Sequence, residues 1–168
     1  SEGAEIELLQ NEDGTYSFTM PRSNVYITIT AEAASEFTLS LVPLGDSSEY
    51  DRHDRGANCD TRDSDGKKVA NGESLTFNIY ADDTTGAFGV ATNIDISLQY
   101  ITINGQRVEL ENGECKDVIL NDDMTVTVER RQHHHGGLGG NYYFYYMVTI
   151  SNVKQDITVE YFLKDTSW

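Results

Sequence analysis

The chain has few basic residues: 12 lysines and arginines stand against 28 aspartates and glutamates, which gives a formal net charge of -16 over 168 residues. So acidic a surface repels the phosphates of nucleic acids and the head groups of anionic lipids. We therefore expect no nucleic-acid partner. The partners that remain are a protein or a glycan at a surface.

Long apolar runs are also missing. No stretch approaches the roughly 18 apolar residues of a membrane helix, so we expect no membrane insertion, and no basic-then-apolar leader is present. Only two cysteines occur, Cys59 and Cys115. Such a count fits one disulfide or two unpaired thiols equally well. The absence of Asn-x-Ser/Thr acceptors is typical of a bacterial rather than a eukaryotic secreted protein.

Alternation of apolar and polar residues with a period of two dominates the chain, and no window of ten or more residues shows the helical period of 3.6. The alternation recurs in residues 16–20, 25–29, 37–41, 75–79, 124–128 and 157–161. Each stretch predicts a strand with one buried and one solvated face. The sequence therefore predicts an all-β fold, either an antiparallel β-sandwich or small tandem β modules, with long loops.

Turn residues support this reading. Asn104-Gly105 separates two strand-like runs, and both residues tolerate positive φ, which predicts a type I′ hairpin. Asp13-Gly14 predicts a similar turn near the start of the chain. Between Leu98 and Ile101 the apolar phase shifts by one residue, so we expect a β-bulge near Tyr100.

Two segments of the chain resemble each other. The sequence FTMPRSNVYITI at residues 18–29 matches VTISNVKQDITV at residues 148–159 in its pattern of strand, short connection and strand. Self-similarity at this scale is typical of tandem arrays of small β units.

The repeat also suggests a domain boundary. Residues 1–33 would be the closing strands of a preceding β module, and residues 34–168 a β-sandwich module with insertions at 46–68 and 130–141. In the alternative, residues 1–33 are the N-terminal hairpin of a single sandwich.

These motifs resemble those of bacterial surface-protein repeat modules of the internalin B-repeat type. In the first unit the resemblance lies in GTYSFTMP (14–21) and VYITI (25–29); in the second it lies in GESLTFNI (72–79), ITING (101–105) and residues 148–159. Together they cover about half of the chain. The resemblance implies an extracellular or cell-surface, stalk-like or adhesive context, and it transfers no active-site residue.

Two long polar segments, 46–68 and 132–141, lie between predicted strands. Loops of this length in compact modules are usually functional or mobile, so we expect them to carry recognition. The second contains three consecutive histidines, 133–135. Adjacent side chains on an extended backbone diverge and cannot all reach one ion, so a solvated loop is favoured over a metal site.

Asp60, Asp63 and Asp65 suggest calcium, because alternating carboxylates near a turn suit that ion. The spacing fails as an EF-hand loop, since Thr61 and Gly72 would occupy its first and last ligand positions. An acidic surface turn is the alternative. Calcium is the only cofactor that the sequence suggests.

The densest aromatic cluster is YYFYY at residues 142–146. One face of this strand continues into the apolar alternation at Val148 and is predicted as core. Tyr143 and Tyr145 then lie on the outer face, where their rings could stack on a sugar or anchor a protein. Tyr50 is a weaker ligand-binding candidate.

No nucleophile motif and no phosphate-binding loop occurs, so we do not expect an enzyme. The leading hypothesis is a non-enzymatic module of a secreted or cell-surface bacterial protein that acts in adhesion or assembly. Its edge strands could support self-assembly. The alternative is a carbohydrate-binding module that uses Tyr143 and Tyr145.

Overall fold

The computed structural model describes residues 6–27, 35–51, 60–81, 96–134 and 142–166, and for residues 122, 133, 134, 142 and 143 the backbone alone. Strands make up 56% of the structure and helices 8%, which confirms the predicted all-β class. The chain divides into two compact units, Ser1–Ala33 and Ala34–Trp168.

The first unit contains one short antiparallel hairpin. Strand β1 (Leu9–Gln10) pairs with β2 (Tyr16–Ser17). Between them the N–H of Asn11 donates to the carbonyl of Thr15 at 2.8 Å. Gly14 adopts a φ of +80°, which glycine reaches without steric cost, so the predicted turn is confirmed.

The second unit holds the remaining described elements. Its strands are β3 (Glu36–Pro43), β4 (Lys68–Ala70), β5 (Leu75–Ala81), β6 (Ile96–Ile103), β7 (Gln106–Glu109), β8 (Cys115–Ile119), β9 (Thr125–His134), β10 (Tyr142–Ser151) and β11 (Ile157–Asp165). Helix α1 spans Ser47–Tyr50, and 3₁₀ helices span Thr61–Ser64 and Asn121–Asp123. Among the described residues, no helix is long and apolar enough to cross a membrane.

These strands form two sheets. One has four antiparallel strands in the order β5-β10-β9-β8, and the other has five in the order β4-β3-β11-β6-β7. One strand pair of the five-stranded sheet is parallel: β3 and β11 run in the same direction, with Leu39 opposite Ile157. The chain crosses between sheets after β10, so β11 enters the middle of the second sheet, where it pairs antiparallel with β6.

The facing surfaces of the two sheets form one hydrophobic core. Along β5, Leu75, Phe77 and Ile79 are buried while the residues between them are not, as the period-two alternation predicts. Strands β3, β6, β9, β10 and β11 alternate in the same way. Residues with an exposure of 0% include Ile101, Val126, Val148, Ile150, Val153, Ile157, Val159 and Tyr161. Burying one such aliphatic side chain contributes roughly 1.5–3 kcal/mol.

Two local predictions are confirmed. Asn104-Gly105 connects β6 to β7 with both residues at positive φ, 49° and 80°, as a type I′ turn requires. The register between β6 and β11 shifts between Phe162 and Leu163. The shift leaves Gln99 as the extra residue beside Tyr100, where the apolar phase predicts a bulge.

The structure describes part of each expected insertion. Residues 130–134 continue β9, because its ladder with β10 extends until His134 pairs with Tyr142. The other predicted loop contains α1 and the 3₁₀ helix Thr61–Ser64. Its residues 52–59, like residues 135–141, lie outside the described part of the chain.

Candidate functional site

Two tyrosines lie side by side on the outer face of the four-stranded sheet. Tyr145 of β10 is directly opposite Tyr80 of β5. The alternation that buries Tyr146 turns both rings away from the core. Their ring centroids are 6.0 Å apart and the planes are inclined by 37°. Both side chains are half-buried, so the strands fix them while part of each ring faces outward.

Polar groups from neighbouring positions surround the pair. Arg131 of β9 is opposite Tyr145, and its guanidinium donates to Glu129 at 2.9 Å. The amide of Asn78 donates to the hydroxyl of Tyr80 at 3.4 Å. We call this surface the tyrosine face and define it by Asn78, Tyr80, Glu129, Arg131, Tyr145 and Met147.

The tyrosine face contains one ion pair and no net charge. The hydrogen bond that Arg131 donates to Glu129, followed by the charge of that carboxylate, raises the pKa of Arg131 above its ordinary value. The two side chains are 48% and 46% exposed, so the pair adds little to stability. Its consequence is geometric: a donor group and an acceptor group are held beside the Tyr145 ring.

A buried hydroxyl fixes the 3₁₀ helix Thr61–Ser64 beside this face. The Oγ1 of Thr61 accepts the N–H of Tyr80 at 2.9 Å and donates to the carbonyl of Asp51 at 2.8 Å. The N–H of Thr61 donates to the same carbonyl at 2.9 Å. The segment between β3 and β4 is therefore attached to edge strand β5 through the backbone of Tyr80, one of the two tyrosines of this face.

The side chain of Asp51 is buried and extends this network. Its Oδ2 accepts a hydrogen bond from the hydroxyl of Tyr161 at 2.5 Å. Burial raises the pKa of Asp51, and the Tyr161 hydrogen bond and the charge of Arg62 oppose that rise. Burial, then the bond to Asp51, also raises the pKa of Tyr161. Within the described residues, Asp51 Oδ1 has no hydrogen-bond partner. The network fastens the segment after β3 to β11.

Only one of the two tyrosines predicted in β10 has a described side chain. Tyr145 lies on the outer face, whereas for Tyr143 only the backbone pairing with His133 is described. Sequence reasoning missed Tyr80. The register that brings β5 beside β10 cannot be read from either strand alone. The available signal was an aromatic residue at a polar position of an alternating strand.

The other residues singled out from the sequence lie apart from the tyrosine face. Tyr50 ends α1, which packs against β11 of the other sheet, and it is half-buried against the core. Cys115 on β8 is half-buried and forms no disulfide with any described residue. Cys59 lies outside the described residues, so the disulfide stays a prediction.

The three aspartates proposed for calcium each bind backbone. Asp60 accepts the N–H of Arg62 at 2.8 Å, and Asp63 accepts the N–H of Asp60 at 3.2 Å, forming a capping box. Asp65 accepts the N–H of Leu41 at 2.8 Å. No group of three metal-ligating side chains occurs in the described part of the chain. Calcium binding stays a prediction, which thermal unfolding with calcium and with EDTA tests.

A cavity of about 420 Å³ opens between the start of β6 and the β7–β8 connection. Arg130 and Tyr146 line it, and the Arg130 guanidinium lies 4.0 Å from the centroid of the Phe144 ring.

Gly113 also lines this cavity, with a φ of +81°, and a Cβ at this position would lie 2.5 Å from Cε1 of Tyr146. Glycine is therefore required here by both backbone and packing.

Comparison with protein-family models, with curated proteins and with solved structures found no match. The fold defines the chain as an all-β protein whose second unit is a two-sheet sandwich.

Proposed function

We propose that the chain is a non-enzymatic module of a secreted or cell-surface bacterial protein, that it acts in adhesion, and that it binds a neutral glycan on the tyrosine face. The observation that carries the proposal is the paired position of Tyr80 and Tyr145 on the outer face of the sheet, with ring centroids 6.0 Å apart.

The chemistry of the tyrosine face matches that of a sugar. A pyranose has C–H groups on its ring faces and hydroxyls around its rim. Tyrosine rings supply an apolar surface for the former. The hydroxyls need both donors and acceptors: Arg131 only donates, ionised Glu129 only accepts, and the amide of Asn78 does both.

The scaffold supports binding because it holds these groups before a ligand arrives. Tyr80, Tyr145 and Arg131 occupy one row across three hydrogen-bonded strands. Side chains on paired strands lose little further freedom on binding, which lowers the entropic cost. The proposal thus moves recognition from the loops, where the sequence suggested it, to the sheet.

Charge favours a neutral ligand. The whole chain carries a formal charge of -16, which repels polysaccharides rich in carboxylate or sulfate. The ion pair of Arg131 and Glu129 leaves no surplus positive charge on the tyrosine face to offset that repulsion.

Calorimetric titration with soluble neutral polysaccharides, such as β-glucans, xylans and mannans, tests the proposal. We expect Tyr80→Ala and Tyr145→Ala each to weaken binding about tenfold or more, equivalent to roughly 1.4 kcal/mol. Tyr100→Ala is the matched control, because Tyr100 is a half-buried tyrosine on the five-stranded sheet, stacked 5.5 Å from Phe162. Absence of binding by the wild type, or an equal loss in the control, contradicts the proposal.

A second candidate function, assembly through edge strands, is favoured by one observation. Ile119 on β8, at the edge of the four-stranded sheet, is 73% exposed. An edge strand can add a strand from another copy through its free backbone groups. In that case Ile119→Lys abolishes concentration-dependent elution in size-exclusion chromatography. A wild-type protein that stays monomeric at every concentration rules out assembly.

A further inference from the structure

The closing strands of the second unit have a counterpart in the first. The segment that begins at Tyr16 aligns without a gap with the segment that begins at Tyr146. The aligned apolar pairs are Tyr16 with Tyr146, Phe18 with Val148, Met20 with Ile150 and Ile27 with Ile157. The hairpins correspond as well, since Ser17 pairs with Leu9 as Met147 pairs with Glu129.

In the second unit this segment closes the sandwich. Tyr146, Val148 and Ile150 lie on β10 of the four-stranded sheet, and Ile157 begins β11 of the five-stranded sheet. The first is 1% exposed and the other three are 0% exposed. The segment therefore supplies core side chains to both sheets.

Of the four counterparts in the first unit, Phe18 is half-buried and the other three are largely exposed. Tyr16 is 61% exposed, Met20 68% and Ile27 66%. Leu9, on the strand that pairs with β2, is 61% exposed. An apolar set with the spacing of a core, and with most of its surface open to water, is typical of an interface whose other side is missing.

We infer that the described segment 16–27 belongs to the closing strands of a second β-sandwich, and that the apolar side chains of Tyr16, Met20 and Ile27 dock onto an upstream segment of the parent polypeptide. That segment has the strand pattern of β3–β9 and lacks closing strands of its own. The inference does not depend on glycan binding, because it uses none of the residues of the tyrosine face.

One core position differs between the two segments. Val153 is 0% exposed in the second unit, and Ser23 takes its place in the first. The upstream segment must therefore fill this space itself, and a test that borrows strands from the second unit needs Ser23→Val.

A fusion tests the inference. A copy of residues 34–145 is joined to the chain from Tyr16 onward, and the chain carries Ser23→Val. Tyr16 then follows Tyr145 directly, in the place that Tyr146 has in the second unit. We expect amide hydrogens in residues 16–29 to exchange at least about 100-fold more slowly than in the unfused chain. The control fusion omits Tyr16. The one-residue shift turns the apolar set to the outer face, so protection should not rise.

A graft keeps the inference falsifiable if the fused segment fails to fold. Residues 146–159 are replaced by residues 16–29 with Ser23→Val, or by residues 17–30 as the shifted control. We expect cooperative thermal unfolding in the first graft and its loss in the second. Equal behaviour of matched and shifted sequences, in the fusions or in the grafts, overturns the inference.

Discussion

The hydroxyl of Tyr161 donates to the carboxylate of Asp51 at 2.5 Å, and both side chains are fully buried. The contact joins β11 to the end of the segment that follows β3. Through the backbone carbonyl of Asp51 it also reaches Thr61, and from there the N–H of Tyr80. The long segment between β3 and β4 is thus attached to both sheets.

The Asp51 carboxyl should make stability depend on pH. Burial raises its folded-state pKa above the ordinary value of 3.8. Its contribution is complete below that value and is lost as the pH rises through the folded-state pKa, because the unfolded chain ionises first. We therefore expect the melting temperature of Asp51→Asn, relative to that of the wild type, to increase as the pH rises from 3.8 towards neutrality. A difference that is constant across the titration contradicts this account.

Removal of the Tyr161 hydroxyl should destabilise the second unit. Tyr161→Phe leaves a buried carboxylate without its donor, at a cost of about 1–3 kcal/mol in the free energy of unfolding. Urea denaturation at pH 7 measures it. Tyr100→Phe removes a hydroxyl from a half-exposed ring and should change the unfolding free energy much less. Equal effects in the two variants argue against a special role for the Asp51 contact.

Thr61→Val should loosen β5 at the tyrosine face. The variant keeps the shape of the side chain but removes the acceptor for the N–H of Tyr80, which costs about 1–2 kcal/mol and speeds hydrogen exchange at that amide. Thr76→Val on the same strand is the control, because Thr76 is exposed and its hydroxyl lies 3.3 Å from the hydroxyl of Thr149, in a contact that is exposed to solvent. Unchanged exchange at Tyr80 in Thr61→Val would disprove the anchoring role.

Gly113→Ala should be far more costly than Gly105→Ala. The two glycines have nearly the same φ, +81° and +80°, so the backbone strain is matched at about 1 kcal/mol. They differ in space: a Cβ at Gly113 lies 2.5 Å from Tyr146, and a Cβ at Gly105 meets nothing within 4 Å. We expect Gly113→Ala to lose a further 1–3 kcal/mol, roughly the penalty of overpacking. Chemical denaturation of both variants decides it.

Glycan affinity on the tyrosine face should be nearly independent of salt. A neutral sugar has no charge to be screened, so we expect less than about a twofold change in Kd between roughly 0.05 and 0.5 M NaCl. Calorimetric titrations at both concentrations provide the measurement. A steep change in affinity with salt would indicate a charged ligand instead.

Local patterns in the sequence predict much of the fold. The alternation around Phe77 predicts which side chains are buried, Asn104-Gly105 predicts a turn, and the phase shift near Tyr100 predicts a bulge. All three depend on neighbours within a few residues, where backbone geometry alone decides the outcome.

Long-range pairing was not predictable in the same way. The parallel neighbours β3 and β11 come from opposite ends of the second unit, and either would alternate identically in an antiparallel pair. The position of Tyr80 was not predictable for the same reason, since its place beside Tyr145 follows from the register of β5 on β10. The anchoring role of Thr61 depends on tertiary contacts that a polar loop residue does not reveal.

The parallel pairing of β3 with β11 has a mechanical consequence. A pull that separates the N-terminal end of β3 from the C-terminal end of β11 acts along both strands, in opposite directions. The ladder from Leu39 and Ile157 to Pro43 and Tyr161 is then loaded in shear, with its rungs sharing the force instead of opening one after another. We therefore expect the second unit to resist stretching between its two ends.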